Sequence, residues 1–61
     1  MPMKKRELEE LSRREGACFL RHGSKHDIWV SASGELFQIP RHDKDVTIGV
    51  EHKVLKALGL K

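Results

Sequence analysis

The sequence is poor in residues that could stabilise a small fold covalently or carry it across a membrane. It contains one cysteine, Cys18, so no internal disulfide can form, and an oxidising compartment is disfavoured. No apolar run approaches the roughly 20 residues that a membrane-spanning helix needs. Lys4, Lys5 and Arg6 are not followed by the apolar segment of a secretory signal. We therefore expect a cytoplasmic protein.

Aromatic residues are also scarce, and the chain is short. Of its 61 residues 38% are hydrophobic, and the aromatic side chains are limited to Phe19, Trp29 and Phe37. This content suffices for one small domain over residues 1–61, and it is too high for a disordered tail. A chain of this size buries only about 60% of its unfolded surface, so we expect marginal stability that a partner can raise.

The charge balance is basic, but no segment is a basic tail. Lysine and arginine together number 12 against 9 acidic residues, which gives a net charge of +3. Such a balance favours a polyanionic partner such as nucleic acid, although many small basic domains have no such partner.

The periodicity of the apolar residues predicts an α+β domain with the order α-β-β-β-α. Tight turns separate the short alternating segments, which indicates an antiparallel three-stranded sheet. The predicted elements are a helix over 3–15, strands over 17–21, 26–31 and 35–39, and a helix over 48–58. Thr47 is the predicted N-cap of the second helix and Gly59 its predicted C-cap. We interpret residues 41–46 as a charged loop that leaves the sheet.

In a chain this short, the two helices can cover only one face of the sheet, so the other face stays open. Strand alternation places Cys18 and Leu20 on one side of the first strand and Phe19 with Arg21 on the other. The aromatic side chains could form the core, or they could lie on the open face as a docking surface. Trp29 could likewise stack on a base or belong to the core. Alternation alone leaves both arrangements possible.

His26 is the candidate catalytic residue. It opens the second predicted strand directly after Gly23, Ser24 and Lys25, so rigid backbone holds it at the sheet rim, within reach of a substrate. Histidine exchanges protons near neutral pH, and Arg21 and Lys25 are close enough in sequence to neutralise developing charge on a phosphate. The competing interpretation is a half-exposed strand-end histidine with solvated neighbours, and the local sequence alone favours it.

Arg41 and His42 form a second candidate pair. They follow Pro40, which ends the third predicted strand and fixes how the two polar side chains leave the sheet. A phosphate contact from Arg41 is one interpretation, and an ordinary solvated loop is the other.

Potential metal ligands are present, but their spacing does not favour a site. They are Cys18, His22, His26, His42 and His52. No C-x-x-C pair occurs, and His22 and His26 are four residues apart across a turn, where this spacing does not bring side chains together as it does on a helix. We therefore expect no metal and no cofactor.

Four segments of the chain carry a resemblance to a known family. They are residues 6–16, GSKHDIW at 23–29, IPRH at 39–42, and a closing segment with residues 46–49, 54–56 and 59–60. In this order they resemble the opening helix, the turn–histidine–strand motif, the third-strand exit and the closing helix of HicA-type mRNA interferase toxins, which belong to bacterial and archaeal toxin–antitoxin pairs. The likeness covers nearly the whole chain, although GVE at 49–51 stands where the family frequently has Gly-Thr-Leu.

The resemblance implies a fold similar to the double-stranded RNA-binding domain. It also implies a type II toxin that cleaves messenger RNA, with His26 as the catalytic residue, and a HicB-type antitoxin that covers the active site. The residues that we expect to bind RNA are Arg21, Ser24, Lys25, Arg41 and His42.

The mechanism that we infer needs no metal. His26 takes the proton of a ribose 2′-hydroxyl that attacks the adjacent phosphate, and His42 is a candidate for the second proton transfer. DNA lacks this hydroxyl and should be inert. Two other functions fit the same sequence, namely a non-catalytic RNA-binding module of the same fold and a protein–protein adaptor whose RNA affinity depends little on salt.

Overall fold

A computed structural model describes residues 3–61 and confirms the predicted order of elements in a small α+β domain. Helix α1 spans Lys5–Arg14 and helix α2 spans Ile48–Ala57. The strands are β1 at Cys18–His22, β2 at His26–Val30 and β3 at Leu36–Pro40. Each boundary lies within two residues of the predicted one.

The three strands form one antiparallel sheet in the order β1-β2-β3, and both helices cover the same face. Trp29 of β2 and Phe37 and Ile39 of β3 point to that face and are buried. They pack against Leu8 of α1 and Val54 of α2. Of the two arrangements that alternation leaves possible, the one with Trp29 and Phe37 in the core is therefore correct.

The opposite face of the sheet is open. Ile28 and Val30 are half-buried there, and Leu36 is 62% exposed. Cys18 pairs with Val30 and is exposed on the same side. The part of the chain that the structure describes supplies no element to cover these side chains.

Strand β1 contains a β-bulge that changes which of its side chains share a face. Phe19 pairs with Trp29, but Arg21 pairs with Ile28, so Leu20 is the extra residue. Phe19 and Arg21 therefore lie on opposite faces. The prediction that they share a face is wrong, because the bulge breaks the two-residue period of the strand.

Helix α1 packs through a leucine and a serine. Leu8 and Ser12, one turn apart, are fully buried, and the Ser12 hydroxyl donates a hydrogen bond of 2.8 Å to the Leu8 carbonyl oxygen. Arg13 lies over the Trp29 ring, 5.1 Å from its centroid, in a cation–π contact. The Trp29 Nε1 is buried and has no hydrogen-bond partner among residues 3–61.

The charged segment before α2 is tied to the start of α1. Lys4 and Asp45 form an isolated β-bridge, and their side chains form an ion pair at 3.2 Å. The Lys5 amide donates to the Lys44 carbonyl oxygen at 2.8 Å, and Val46 is buried in the core. The segment leaves the sheet as predicted, but its backbone is anchored to the start of α1.

The predicted N-cap of helix α2 is confirmed, but the C-cap is Leu58, and Gly59, the predicted C-cap, is the residue that follows it. Thr47 Oγ1 accepts a hydrogen bond of 3.2 Å from the Val50 amide, and Gly59 has a φ of +81°, in the left-handed region that glycine tolerates. Neither this helix nor any other in residues 3–61 is long and apolar enough to cross a bilayer.

The orientation of β3 can be tested with two substitutions on this strand. Ile39→Val removes a methylene from a fully buried side chain and should lower the free energy of unfolding by about 0.5–1.5 kcal/mol. Leu36→Ala removes more atoms, but from the exposed side, and should change it by less than about 0.5 kcal/mol. Equilibrium urea unfolding measures both values. A larger loss for Leu36→Ala would mean that the opposite face of β3 is the buried one.

Candidate functional site

The turn between β1 and β2 positions His26, and a close backbone contact fixes its shape. The Gly23 amide donates to the His26 carbonyl oxygen at 2.6 Å. A Cβ at position 23 would lie 2.8 Å from that oxygen, so the turn requires glycine. Arg41 Nη1 donates to the Gly23 carbonyl oxygen at 2.9 Å, and the Arg41 amide donates to the Lys25 carbonyl oxygen at 3.2 Å. These bonds fasten the turn to the end of β3.

Most of the residues predicted from the sequence lie on or next to this turn, whereas His42 lies beyond the end of β3. The exposed ones are Arg21, Ser24, Lys25 and His42, and the half-buried ones are His26 and Arg41. Arg21 pairs with Ile28, so the bulge places it on the open face, diagonal to His26. The guanidinium of Arg41 is committed in part to the turn, but four of its five N–H groups remain for other partners.

His26 contributes to the wall of a groove between β3 and α2, hereafter the β3–α2 groove, with a volume of about 790 Å³. The charged residues that line it are Lys53, Lys56, Lys61 and Glu35. Because three cationic side chains face one carboxylate, the groove attracts anions, and the imidazole of His26 lies within that field.

The residues predicted from the sequence do not include the lysines of this groove. Lys53 and Lys56 are three residues apart, a spacing that places both on one side of a helix, and this signal is present in the sequence. Lys61 lines the groove because the chain turns back after α2, where the Leu60 amide donates to the Leu55 carbonyl oxygen at 2.8 Å. That return is a property of the folded chain.

A second, smaller groove of about 450 Å³ lies between the start of α1 and the segment that follows β3, hereafter the α1–loop groove. Its lining residues are Lys4, Lys5, Arg6, Glu9, Arg41, His42, Asp43 and Lys44. Much of its positive charge is neutralised. Lys4 Nζ lies 3.2 Å from a carboxylate oxygen of Asp45, and Lys5 Nζ lies 3.9 Å from one of Glu9.

The two grooves separate the two histidines that the sequence analysis singles out. His26 lines the β3–α2 groove and His42 lines the α1–loop groove. A proton transfer from His42 to a phosphate bound at His26 therefore gains no support from the lining of either groove.

A third histidine forms a pair that sequence reasoning does not identify. His22 Nδ1 lies 2.7 Å from Asp27 Oδ1, and the side chains of His22 and Asp27 are 66% and 9% exposed. This contact orients the imidazole ring through its Nδ1. The Phe19 ring packs 5.0 Å from the imidazole and helps to hold it. Within residues 3–61, no three His, Cys, Asp or Glu side chains could together hold a metal ion.

Comparison with known proteins adds no identification to this geometry. No family model matches the sequence, and no curated protein matches it significantly.

The same substitution at two glycines tests whether the turn requires one. Gly23→Ala places a methyl group against the His26 carbonyl oxygen and should lower the free energy of unfolding by about 1–3 kcal/mol. Gly49→Ala lies in helix α2, where the new Cβ would make only an ordinary contact of 3.9 Å with Thr47 Oγ1, and should raise it by up to about 1 kcal/mol. Urea unfolding of both variants is the measurement. Equal stability of Gly23→Ala and the wild type would contradict the geometry of the turn.

Proposed function

We propose that the chain is an endoribonuclease toxin of a type II toxin–antitoxin pair, similar to the HicA-type mRNA interferases, with His26 as its catalytic residue. The observation that carries the proposal is the half-buried imidazole of His26 in the wall of a groove that also contains three lysines. A base and an excess of positive charge in one concave site are what cleavage of a phosphodiester needs.

In this mechanism, His26 removes the proton of a ribose 2′-hydroxyl. The 2′-oxygen forms a bond to the adjacent phosphorus, and the bond from phosphorus to the 5′-oxygen breaks. The products are a 2′,3′-cyclic phosphate and a 5′-hydroxyl, and the leaving oxygen takes its proton from solvent. No metal is required, because the imidazole supplies the base and cationic side chains offset the charge on the phosphate.

Cationic residues around the turn can position the RNA next to His26. Arg21 lies on the open face beside His26, and Lys25 directly precedes it in the turn. Ser24 and the remaining donors of Arg41 offer additional hydrogen bonds to a phosphate.

Replacement of His26 tests the catalytic role. His26→Ala should lower the rate of RNA cleavage by about 10²–10⁴-fold, because it removes the proposed base. Arg14→Ala, a change at an exposed helix position that lines neither groove, should cleave at the wild-type rate. Mapping of RNA ends should find 5′-hydroxyl groups.

A His22→Ala variant distinguishes between His22, which is paired with Asp27, and His26, which lines the groove. If His26→Ala retains full activity and His22→Ala is inactive, the base is the histidine that Asp27 orients, and the assignment to His26 is wrong. Cleavage only with an added divalent metal would contradict the metal-independent mechanism.

The competing function is a non-catalytic RNA-binding module, which the same cationic groove would equally serve. Expression in the absence of a partner separates the two. A ribonuclease should arrest growth, and His26→Ala should relieve the arrest. A passive binder should be tolerated in both forms.

The proposal includes a HicB-type antitoxin as the protein partner. A partner that binds only the folded state stabilises it by mass action, by about 2.7 kcal/mol when it is present at 100 times its dissociation constant. Co-expression from the native operon should therefore yield a complex that melts at a higher temperature than the isolated chain and does not cleave RNA. The expected contact surface is the open sheet face around Ile28 and Leu36, or the rim at His26. Separate elution of the two proteins would contradict this part of the proposal.

A further inference from the structure

We propose that the β3–α2 groove binds a single RNA strand, with Lys53, Lys56 and Lys61 holding its phosphates. The inference rests on the proposed action on RNA, and it assigns the substrate form and a set of phosphate-binding residues outside the turn. It is carried by the lining of the groove, which includes these three lysines and His26.

The lysines of this groove are available to an anion. Lys53 and Lys56 are exposed, and within residues 3–61 neither has a carboxylate oxygen within 4.0 Å. The Lys61 Nζ lies 3.1 Å from His52 Nε2. Within residues 3–61, it too has no carboxylate oxygen within 4.0 Å. Lys4 and Lys5 in the α1–loop groove differ in this respect, because each already faces a carboxylate. A phosphate therefore gains more electrostatic attraction in the β3–α2 groove than in the α1–loop groove.

The one acidic residue of the groove does not oppose binding at the catalytic end. His26 pairs with Pro40 at the end of β3, whereas Glu35 directly precedes the start of this strand. The five residues of β3 separate the two positions, a distance of about 17 Å at about 3.3 Å per residue. Glu35 is therefore remote from the proposed base, although it lines the same groove.

The groove also offers apolar surface to nucleotide bases. Leu36, which is 62% exposed, and Val50, which is half-buried, both line it. Unpaired bases present apolar faces that pack on such side chains, whereas the bases of a duplex are stacked on one another and not available. An exposed leucine beside unpaired lysines therefore favours a single strand.

The size of the groove leads to the same conclusion. A volume of about 790 Å³ is within the range of about 300–1,000 Å³ that is typical of sites for small molecules. It can hold a few nucleotides of one strand. His26 lines the same groove, so a strand that is bound there lies next to the proposed base.

The experiment compares two triple variants with the same loss of charge. The groove variant is Lys53→Gln, Lys56→Gln and Lys61→Gln, and the control variant is Lys4→Gln, Arg6→Gln and Lys44→Gln in the α1–loop groove. All six side chains are exposed, so both variants should fold, and melting curves check this. The probe is a fluorescent 2′-O-methyl single-stranded oligoribonucleotide, which lacks the nucleophile and is not cleaved. Anisotropy titrations over a range of salt concentrations give the affinity and its salt dependence.

Each phosphate contact contributes about −0.7 to the slope of log affinity against log salt for a single strand. The groove variant should therefore lose about 2 of the wild-type slope, together with most of its affinity, while the control variant keeps the wild-type slope. A duplex of the same sequence should bind more weakly than the single strand. Equal losses in the two variants, a larger loss in the control variant, or tighter binding of the duplex would each overturn the inference.

Failure of this inference can be distinguished from failure of the proposed function. If wild type cleaves RNA and the groove variant cleaves it with an unchanged KM, the groove assignment is wrong and the nuclease stands. If the groove variant loses binding but wild type cleaves no RNA, the groove assignment stands and the chain is an RNA-binding module.

Discussion

The chain can bury only one side of its sheet, and this limit determines where every candidate functional residue lies. Leu8 from α1 and Val54 from α2 reach the same layer as Trp29, and the described residues form no third layer. Polar chemistry is therefore restricted to the rim, the open face and the grooves beside the helices. His26 occupies a favourable position within this limit, because it begins the central strand and is held by a neighbour on each side while its side chain stays accessible.

Hydrogen bonds to the backbone make the rim of the sheet at the β1–β2 turn rigid, as a larger core would do in a larger protein. The Gly23 amide bonds to the His26 carbonyl oxygen, and Arg41 bonds to Gly23 in turn. The Lys5 ammonium then donates to the Arg41 carbonyl oxygen at 2.7 Å, which extends the connection to α1. One chain of hydrogen bonds thus links the turn, the end of β3 and the first helix. Arg41 is half-buried because it takes part in these hydrogen bonds, so it has a structural role as well as an electrostatic one.

Local rules predict most of this fold from the sequence, and they fail where tertiary contacts override them. Alternation and turn chemistry predict all five elements, since each is short and bounded by glycine, proline or a cap residue. The bulge at Leu20 is not encoded in hydrophobicity, and it moves Arg21 to the face of His26. The sequence likewise leaves the buried face of the sheet undecided, because β2 carries apolar side chains such as Ile28 and Trp29 on both sides. Only packing against the two helices decides which face of β2 is buried.

The sequence predicts some residues of the candidate site, but it does not predict the His22–Asp27 pair or the lysines of the β3–α2 groove. These residues bear on which histidine can act on a phosphodiester. His22 is the better oriented of the two, because the buried Asp27 carboxylate fixes its ring. That carboxylate also adds negative charge beside the imidazole, which opposes the approach of a polyanion. His26 has no such neighbour in its groove, where lysines from α2 and from the segment after it supply positive charge. Cleavage of a phosphodiester requires that charge as much as it requires a base, so field strength favours His26 although orientation favours His22.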